Sequence, residues 1–491
     1  MRHLTTILVA MVATIACATA QNIPTLHDEA VEASKMYMRG NAYQRDMLLY
    51  VDMLGDTHPY YADARHRRIL DSNIKRWYRE CGKIEDVMTF RLLLQSIASP
   101  LHDGHTVIAY WNDFGNIYPF GISIRGNDKA VVSFVDVGHA DHLGKGVVRM
   151  NGLTIEAFLD MARPMMSADN DVSYQNSVGQ LISFPDFWRL LGYGESLEVE
   201  LEDGVVLRFE GVARTQLNVA SLQQMTGRRT SKRPVLFDYD IDEEAGICYM
   251  QFNQFADRIT HPQYSTLPRF DYFVRDMMAD IAEKGVKTLV VDMQYNGGGN
   301  SSLGSVLLSW LKPINDIKSV DAYVRTSELL YTFYPQYRQF SVDGAPLEMG
   351  EVYSLMGFDH NRDYKVDYTT QQDTTRHVLN IDEDRLFRGN VVFVEGRESF
   401  SSASLTLTLV RDNNIGIIVG EKSAGRPCHY GDVLYALLPN TSTTALVSHK
   451  YFIRPNRDLE AEEYIVPDVE ISLNDPHSDL LWEWIVQNYS R

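Results

Sequence analysis

The sequence predicts a multidomain α/β fold: a helical N-terminal domain, a β-rich middle domain and an α/β C-terminal domain. Three observations predict it. The chain has 491 residues, more than one hydrophobic core ordinarily organises. Its composition, 45% hydrophobic and 23% charged, is that of a globular protein. The spacing of apolar residues changes twice along the chain, from helical, to short alternating runs, to apolar strands interleaved with helices.

The first element is a leader. "MRHLTTILVAMVATIACATAQ" pairs an early Arg with an apolar run and ends on Ala18-Thr19-Ala20, the layout of a cleaved signal peptide over residues 1–20. The run is short for a membrane span. A lipid anchor on Cys17 is disfavoured by Thr14 three positions before it. The mature protein is therefore expected to be exported, secreted or periplasmic, with no integral membrane segment. Cys81, Cys248 and Cys428 then remain. Three cysteines make no disulfide framework, and none are at metal-site spacing. No cofactor motif is found. The net charge of −19 argues against a nucleic-acid partner, because phosphate binding needs a basic face.

Residues 21–112 form the helical domain. "QRDMLLYVDML" and "VMTFRLLLQSIASPL" carry apolar residues at helical spacing. Residues 113–217 form the β-rich domain, with turn signals at Asn151-Gly152 and Asp203-Gly204. One helix, around 154–162, interrupts it. The polar, basic stretch 218–236 reads as a linker or mobile loop. Residues 237–475 form the α/β domain: "GICYMQF", "KTLVVDM", "NVVFV" and "IGIIVG" are apolar strands alternating with helices, which predicts a largely parallel sheet. Residues 316–386 have no clear period and read as an insertion or flap. A helix closes the chain within 476–491.

Two stretches carry chemistry. In "VVDMQYNGGGNSS" a buried strand runs into three glycines and a helix. Such a run lets backbone approach closely and leaves N–H groups free for an anion. It lacks the GK[ST] ending of a phosphate loop. In "EGRESFSSAS" (395–404) serines crowd a strand-to-helix turn. A serine there lies beside the free N–H groups at a helix start, which stabilise developing negative charge. Serine is also a favoured N-cap, so this pattern alone leaves both uses open. A nucleophilic serine needs a base. Among 14 histidines, His105 in "SPLHDGHTVIAY" stands on a helix-to-strand loop. His429 in "GRPCHYGD" is its rival, and His58 before Pro59 reads as turn chemistry.

Together these stretches resemble the C-terminal-processing serine peptidases and the tricorn core protease. "TLVVDMQYNGGGNS" is followed by "GNVVFVEGRESFSSASLTLTLVRDNNIGIIVGEKSAGRP" in that family's order and spacing. The resemblance implies a ClpP/crotonase-like α/β catalytic domain after a PDZ-like domain over 113–217, and a peptide or unfolded protein as substrate. It implies Ser401 as nucleophile, and Ser402 as the competing serine. Oxyanion donors would be the backbone N–H of Ser402 and of a glycine, Gly298 first and Gly297 next. The processing branch takes a Lys as base, 25 positions after the serine. Here Arg426 stands there, and arginine stays protonated. "LHDGHT" resembles the His-bearing loop of the tricorn-like branch, which implies His105 as base, within hydrogen-bonding reach of Ser401 Oγ. That branch orients its His with a Glu before a Pro-Asp strand. In "DLEAEEYIVPD" this implies Glu460, with Glu462 second. Gln294 and Ser404 depart from the family's Arg and Glu. The reading is a secreted serine endopeptidase. The alternative, motivated by the missing Lys, is a catalytically decayed peptide-binding protein on the same fold.

Overall fold

The computed structural model describes residues 23–109, 115–125, 129–222, 229–261, 266–359, 381–473 and 478–490. The leader 1–20 with Cys17, and residues 360–380 of the expected insertion, lie outside them.

Three long helices open the described chain: Ala42–Thr57, Ala64–Cys81 and Val87–Ala98. Each begins on a side-chain cap, Asn41, Asp63 and Asp86, which satisfies N–H groups that a helix start leaves unpaired. The first helix is stitched to the far end of the chain. Its buried Asp46 accepts from the Asn440 N–H and Nδ2, and from the Thr441 N–H and Oγ1.

A five-stranded antiparallel sheet explains that stitching. It runs Val107–Ala109, Thr443–Ile453, Asp321–Arg325, Val352–Ser354, with His429–Leu438 also paired to Thr443–Ile453. Within the stretch expected to be an insertion or flap, 321–325 and 352–354 are therefore strands of this sheet, while 341–342 and 345–346 pair separately. Arg325 Nη1 donates to the carbonyls of Gly55 and His58 (2.7 and 2.8 Å), which locks the segment onto the N-terminal helices. The N-terminal helices and this sheet thus pack as one unit although they lie far apart along the chain.

The β-rich part is a seven-stranded antiparallel sheet from Phe120–Arg125 to Val219–Ser221, covered by Ile155–Ala162 and Asp171–Leu181. Its last strand pairs with residues 134–136, so the sheet reaches into the stretch expected to be a linker. The described remainder of that stretch packs down too. Thr230 bonds Asp479 through its N–H (3.1 Å) and Oγ1 (2.6 Å).

A six-stranded sheet carries the site. Ile247–Phe252, Thr288–Asp292, Asn390–Glu395, Ile417–Gly420 and Val469–Glu470 are parallel, with Phe237–Asp242 antiparallel at one edge. Every residue of Ile247–Phe252 and Thr288–Asp292 is buried, as parallel strands covered on both faces must be. Helices Phe270–Glu283, Ser302–Leu308 and Ser402–Asp412 cover one face, and the closing helix Leu480–Tyr489 the other. Cys81, Cys248 and Cys428 are free and buried. No helix among the described residues is long and apolar enough to cross a membrane.

One strand end holds a buried acid. Glu395 is fully buried; Oε1 accepts from Ser423 N–H (3.0 Å), while Oε2 has no partner among the described residues. Burial pushes its pKa up to about 8. In the unfolded chain it ionises near its ordinary value, so folding binds a proton between the two and stability falls as pH rises through that window. Glu395→Gln is expected to gain stability relative to wild type from about pH 5 to pH 8 and no further above it, read by urea unfolding across pH.

Candidate active site

Strands Thr288–Asp292 and Asn390–Glu395 are parallel neighbours, Asp292 opposite Val394. Their carboxyl ends therefore deliver the glycine run and the serine turn side by side, where parallel sheets usually bind ligands. The turn is pinned from below. Ser399 Oγ accepts from Gly396 N–H and donates to Met293 O (2.8 Å), and Phe400 N–H donates to Asn296 O (3.0 Å).

Those bonds force Ser401 to φ 56°, ψ −121°, a region side chains other than glycine rarely occupy. Ser401 stands at the N-cap, yet its side chain accepts nothing from the helix. Its hydroxyl is not spent on capping. Ser402 is different: its Oγ donates to Gly299 O (2.6 Å). Ser404 Oγ turns back to Ser399 O (3.3 Å).

Gly298 presses on the turn at φ 101°. A Cβ there would lie 2.7 Å from Ser401 Cβ and 3.0 Å from the Ser402 nitrogen. Its own N–H donates to Asn296 Oδ1 (2.9 Å), so in this conformation it is not offered to a ligand. The N–H groups of Gly297 and Ser402 have no acceptor among the described residues. Gly298→Ala combines a forbidden φ with a collision against the serine turn. It is expected to cost about 2 kcal/mol or more of stability and at least ~10² in kcat, measured by denaturation and steady-state turnover.

The histidine loop comes from the other sheet. Helix Val87–Ala98 runs through the turn Ser99–Leu101, His102 adopts φ 50°, and the chain enters strand Val107–Ala109. Pairing of that strand with Thr443–Ile453, and of His429–Leu438 with the same strand, sets His105 and His429 ring to ring at 5.7 Å. On its other side His105 stacks on Phe400 at 4.5 Å, the residue next to Ser401. The serine turn and the histidine loop thus meet through one aromatic ring. No hydrogen bond joins Ser401 Oγ to His105, whose two ring nitrogens make no hydrogen bond among the described residues. The expected direct contact is absent in this state because the imidazole lies flat against Phe400.

Buried carboxylates surround His105. Asp103 Oδ1 lies 3.6 Å from His105 Nδ1. Asp169 accepts from Gly104 N–H (2.7 Å). Burial alone would lower the His105 pKa, but Asp103, Asp169 and Asp432 outweigh it and hold it above the usual histidine value. His429 goes the other way: burial, and then the charge of His105, pull it down to about 3. Its Nδ1 contacts Arg426 O at 3.0 Å.

The structure does not bring Glu460 or Glu462 to His105. Glu462 Oε2 accepts from Arg454 Nη1 (2.6 Å), and Glu460 lies 3.9 Å from Arg457. Glu463 pairs with Arg426. Three arginines rise beside this acidic loop and take its carboxylates locally. Arg426 fills the place of the processing enzymes' Lys, and its own N–H leans toward Asp169 (3.5 Å). Gln294 donates from Nε2 to the buried Asp292 (2.9 Å), a neutral hydrogen bond where the resemblance implies an Arg. Sequence reasoning overlooked Asp103, Asp169 and Phe400. The signal for Asp103 was present as the Asp-Gly pair two residues before the histidine. A cleft leads from strand Phe120–Arg125 and helix Asp171–Leu181 to Gly297 and Phe400.

Residues 246–471 match the family model of peptidase family S41. No curated protein matches the chain. Among solved structures, mature CPAF complexed with lactacystin is similar with a TM-score of 0.61 at 12% identity, over 92% of this chain and 98% of that one. A CPAF mutant is similar with a TM-score of 0.58 at 10% identity, over 93% and 99%.

Proposed function

Because the segment 246–471 belongs to peptidase family S41, which makes the chain a serine-type peptidase acting on protein, we propose that it is an exported endopeptidase with Ser401 as nucleophile and His105 as base. One observation carries this reading: Ser401 is held at a strained backbone angle with its hydroxyl uncommitted. Strain of this kind persists only where surrounding structure imposes it, and it clusters at reactive groups.

In the proposed cycle Ser401 Oγ attacks the peptide carbonyl and its proton passes to His105, which later protonates the leaving amine. The imidazole swings from its stack on Phe400 toward Ser401 when substrate binds; catalytic hydrogen bonds commonly tighten only then. The oxyanion is received by the Ser402 N–H and by the glycine run, through Gly297 or through Gly298 once its N–H leaves Asn296. No Glu is assigned a step here, since Arg454 holds Glu462 and Glu460 stands half-exposed near Arg457. The N-terminal helices and a PDZ-like β-rich domain frame the site. That domain would add an extended chain to strand Phe120–Arg125, along the cleft leading to Gly297. Export rests on the leader at 1–20.

A fluorophosphonate probe tests the assignment. Wild type is expected to be labelled, and Ser401→Ala not. Labelling that survives Ser401→Ala and is lost in Ser402→Ala would move the nucleophile by one. No labelling of folded wild type would favour a decayed peptide-binding protein.

A further inference from the structure

Asp103 is the most heavily engaged side chain near the site. It is fully buried. Oδ1 accepts from His105 N–H (2.8 Å); Oδ2 accepts from Thr106 Oγ1 (2.5 Å) and faces His58 Nε2 (3.1 Å). His58 is itself fixed. Its Nδ1 accepts from Tyr60 N–H (3.2 Å), which leaves the ring proton on Nε2 to be donated to Asp103. The His58 ring is fully buried and packs 4.4 Å from that of Tyr430. The backbone of Asp103 is clamped as well: its N–H donates to Ser167 Oγ (3.2 Å), and its carbonyl accepts from the same hydroxyl (2.7 Å). Thr106 Oγ1 in turn accepts from Ser448 N–H (3.1 Å).

We propose that Asp103, braced by His58 and Thr106, is the positioning carboxylate of His105, and that neither Glu460 nor Glu462 has this task. The inference rests on the reading of His105 as the base. Asp103 lies nearest Nδ1, so a proton held there fixes the tautomer and leaves Nε2, the opposite edge of the ring, to take the Ser401 proton. That proton moves from Oγ to Nε2 and on to the leaving amine. Asp103 stays an anion throughout and stabilises the imidazolium between the two transfers. An anion is sustainable at this buried position because three donors converge on it. Against the cost of burial, His105 and His58 hold its pKa well below the usual carboxylate range.

The other groups facing His105 fit the task less well. Asp169 is spent on Gly104 N–H, and burial pushes its pKa up to about 6. Asp432 is tied to Lys450 (2.6 Å). His429, also facing the ring, is neutral, and Phe400 supplies only its face.

The test reads His105 twice. In steady-state kinetics, Asp103→Asn is expected to lower kcat by about 10²- to 10⁴-fold with little change in KM, and to shift the acid limb of kcat/KM to lower pH. Glu460→Gln and Glu462→Gln are expected to leave both within about twofold. A loss from either Glu variant that matches Asp103→Asn overturns the proposal. The second reading uses no turnover. The His105 imidazole is titrated by NMR in Ser401→Ala protein, alone and with each carboxylate variant added. A lower titration point with Asp103→Asn only is the expected result. An unmoved one there, or one displaced by more than about 0.5 pH in a Glu variant, overturns the proposal. If Asp103→Asn does not fold, the two Glu variants still decide by that displacement. Because the titration needs no catalysis, it stands or falls separately from the assignment of Ser401.

Discussion

Replacing Ser401 with glycine is expected to abolish turnover and, in the same protein, to raise fold stability by about 1 kcal/mol. The loss should be at least ~10⁴ in kcat, since the proposed nucleophile is gone and only binding and oxyanion contacts remain. The gain comes from the backbone. At φ 56°, ψ −121° a serine pays a strain of about 1–3 kcal/mol. The mirror image of these angles is ordinary extended backbone, which glycine occupies as readily on either side. Extra freedom in the unfolded chain returns about 0.4–1 kcal/mol of that relief. Ser401→Ala separates the two effects: it should be as inactive as the glycine variant but no more stable than wild type. Denaturant unfolding of the three proteins, with fluorophosphonate labelling of each, reads both quantities. A glycine variant less stable than the alanine variant would mean that the turn is not strained.

The second large effect concerns the two stacked histidines. His105→Ala is expected to lower kcat by at least ~10³, while His429→Ala leaves kcat of the folded enzyme within about tenfold. His429 is buried, His105 is nearly so, and their rings lie 5.7 Å apart, so proximity does not distinguish them, but their charges do. His105 faces three aspartates and binds protons more tightly than a free histidine. His429, pulled down to about 3, is too weak a base for work near neutrality. His429→Ala should show its effect in stability instead, through the cavity it leaves. The sign of the pH dependence follows. A base acts when neutral, so kcat/KM should fall with acidity through the raised His105 pKa, placing the limb above pH ~6.5. Asp432→Asn removes one negative neighbour and should move the limb downward. A limb well below pH ~6 in wild type would contradict the charge arrangement around His105.

Much of this site was legible in the sequence. The apolar strands end where the glycine run and the serines begin, because parallel buried strands are written as near-continuous apolar runs. The proposal of Ser401 rests on that register and on the family spacing. What escaped was anything decided by which of several possible side-chain partners, near or distant along the chain, lies closest in space. Glu460 and Glu462 fit the family pattern, yet Arg454 and Arg457 compete for them locally, and no spacing reveals which cation lies nearer. Asp103 looked like half of a turn. Its anionic role depends on His58 and Thr106 converging on one carboxylate. Residues 316–386 carry too few apolar repeats to announce a strand, and Asp321–Arg325 becomes one because Thr443–Ile453 supplies a template for it. The stretch 218–236 looked polar enough to be loose, but Thr230 finds Asp479 across the fold.

The shared antiparallel sheet also governs when the active site can exist. Strand Val107–Ala109, which carries the histidine loop, pairs with residues 444–446. During synthesis His105 therefore leaves the ribosome early but has nothing to be placed against until almost the whole chain has followed. Contacts this far apart in sequence form late and slowly. A growing chain, or one truncated before Thr443, would hold a serine turn without a positioned His105. The topology thus acts as a timer: the histidine loop gains its place beside the serine turn only after strand Thr443–Ile453 has arrived.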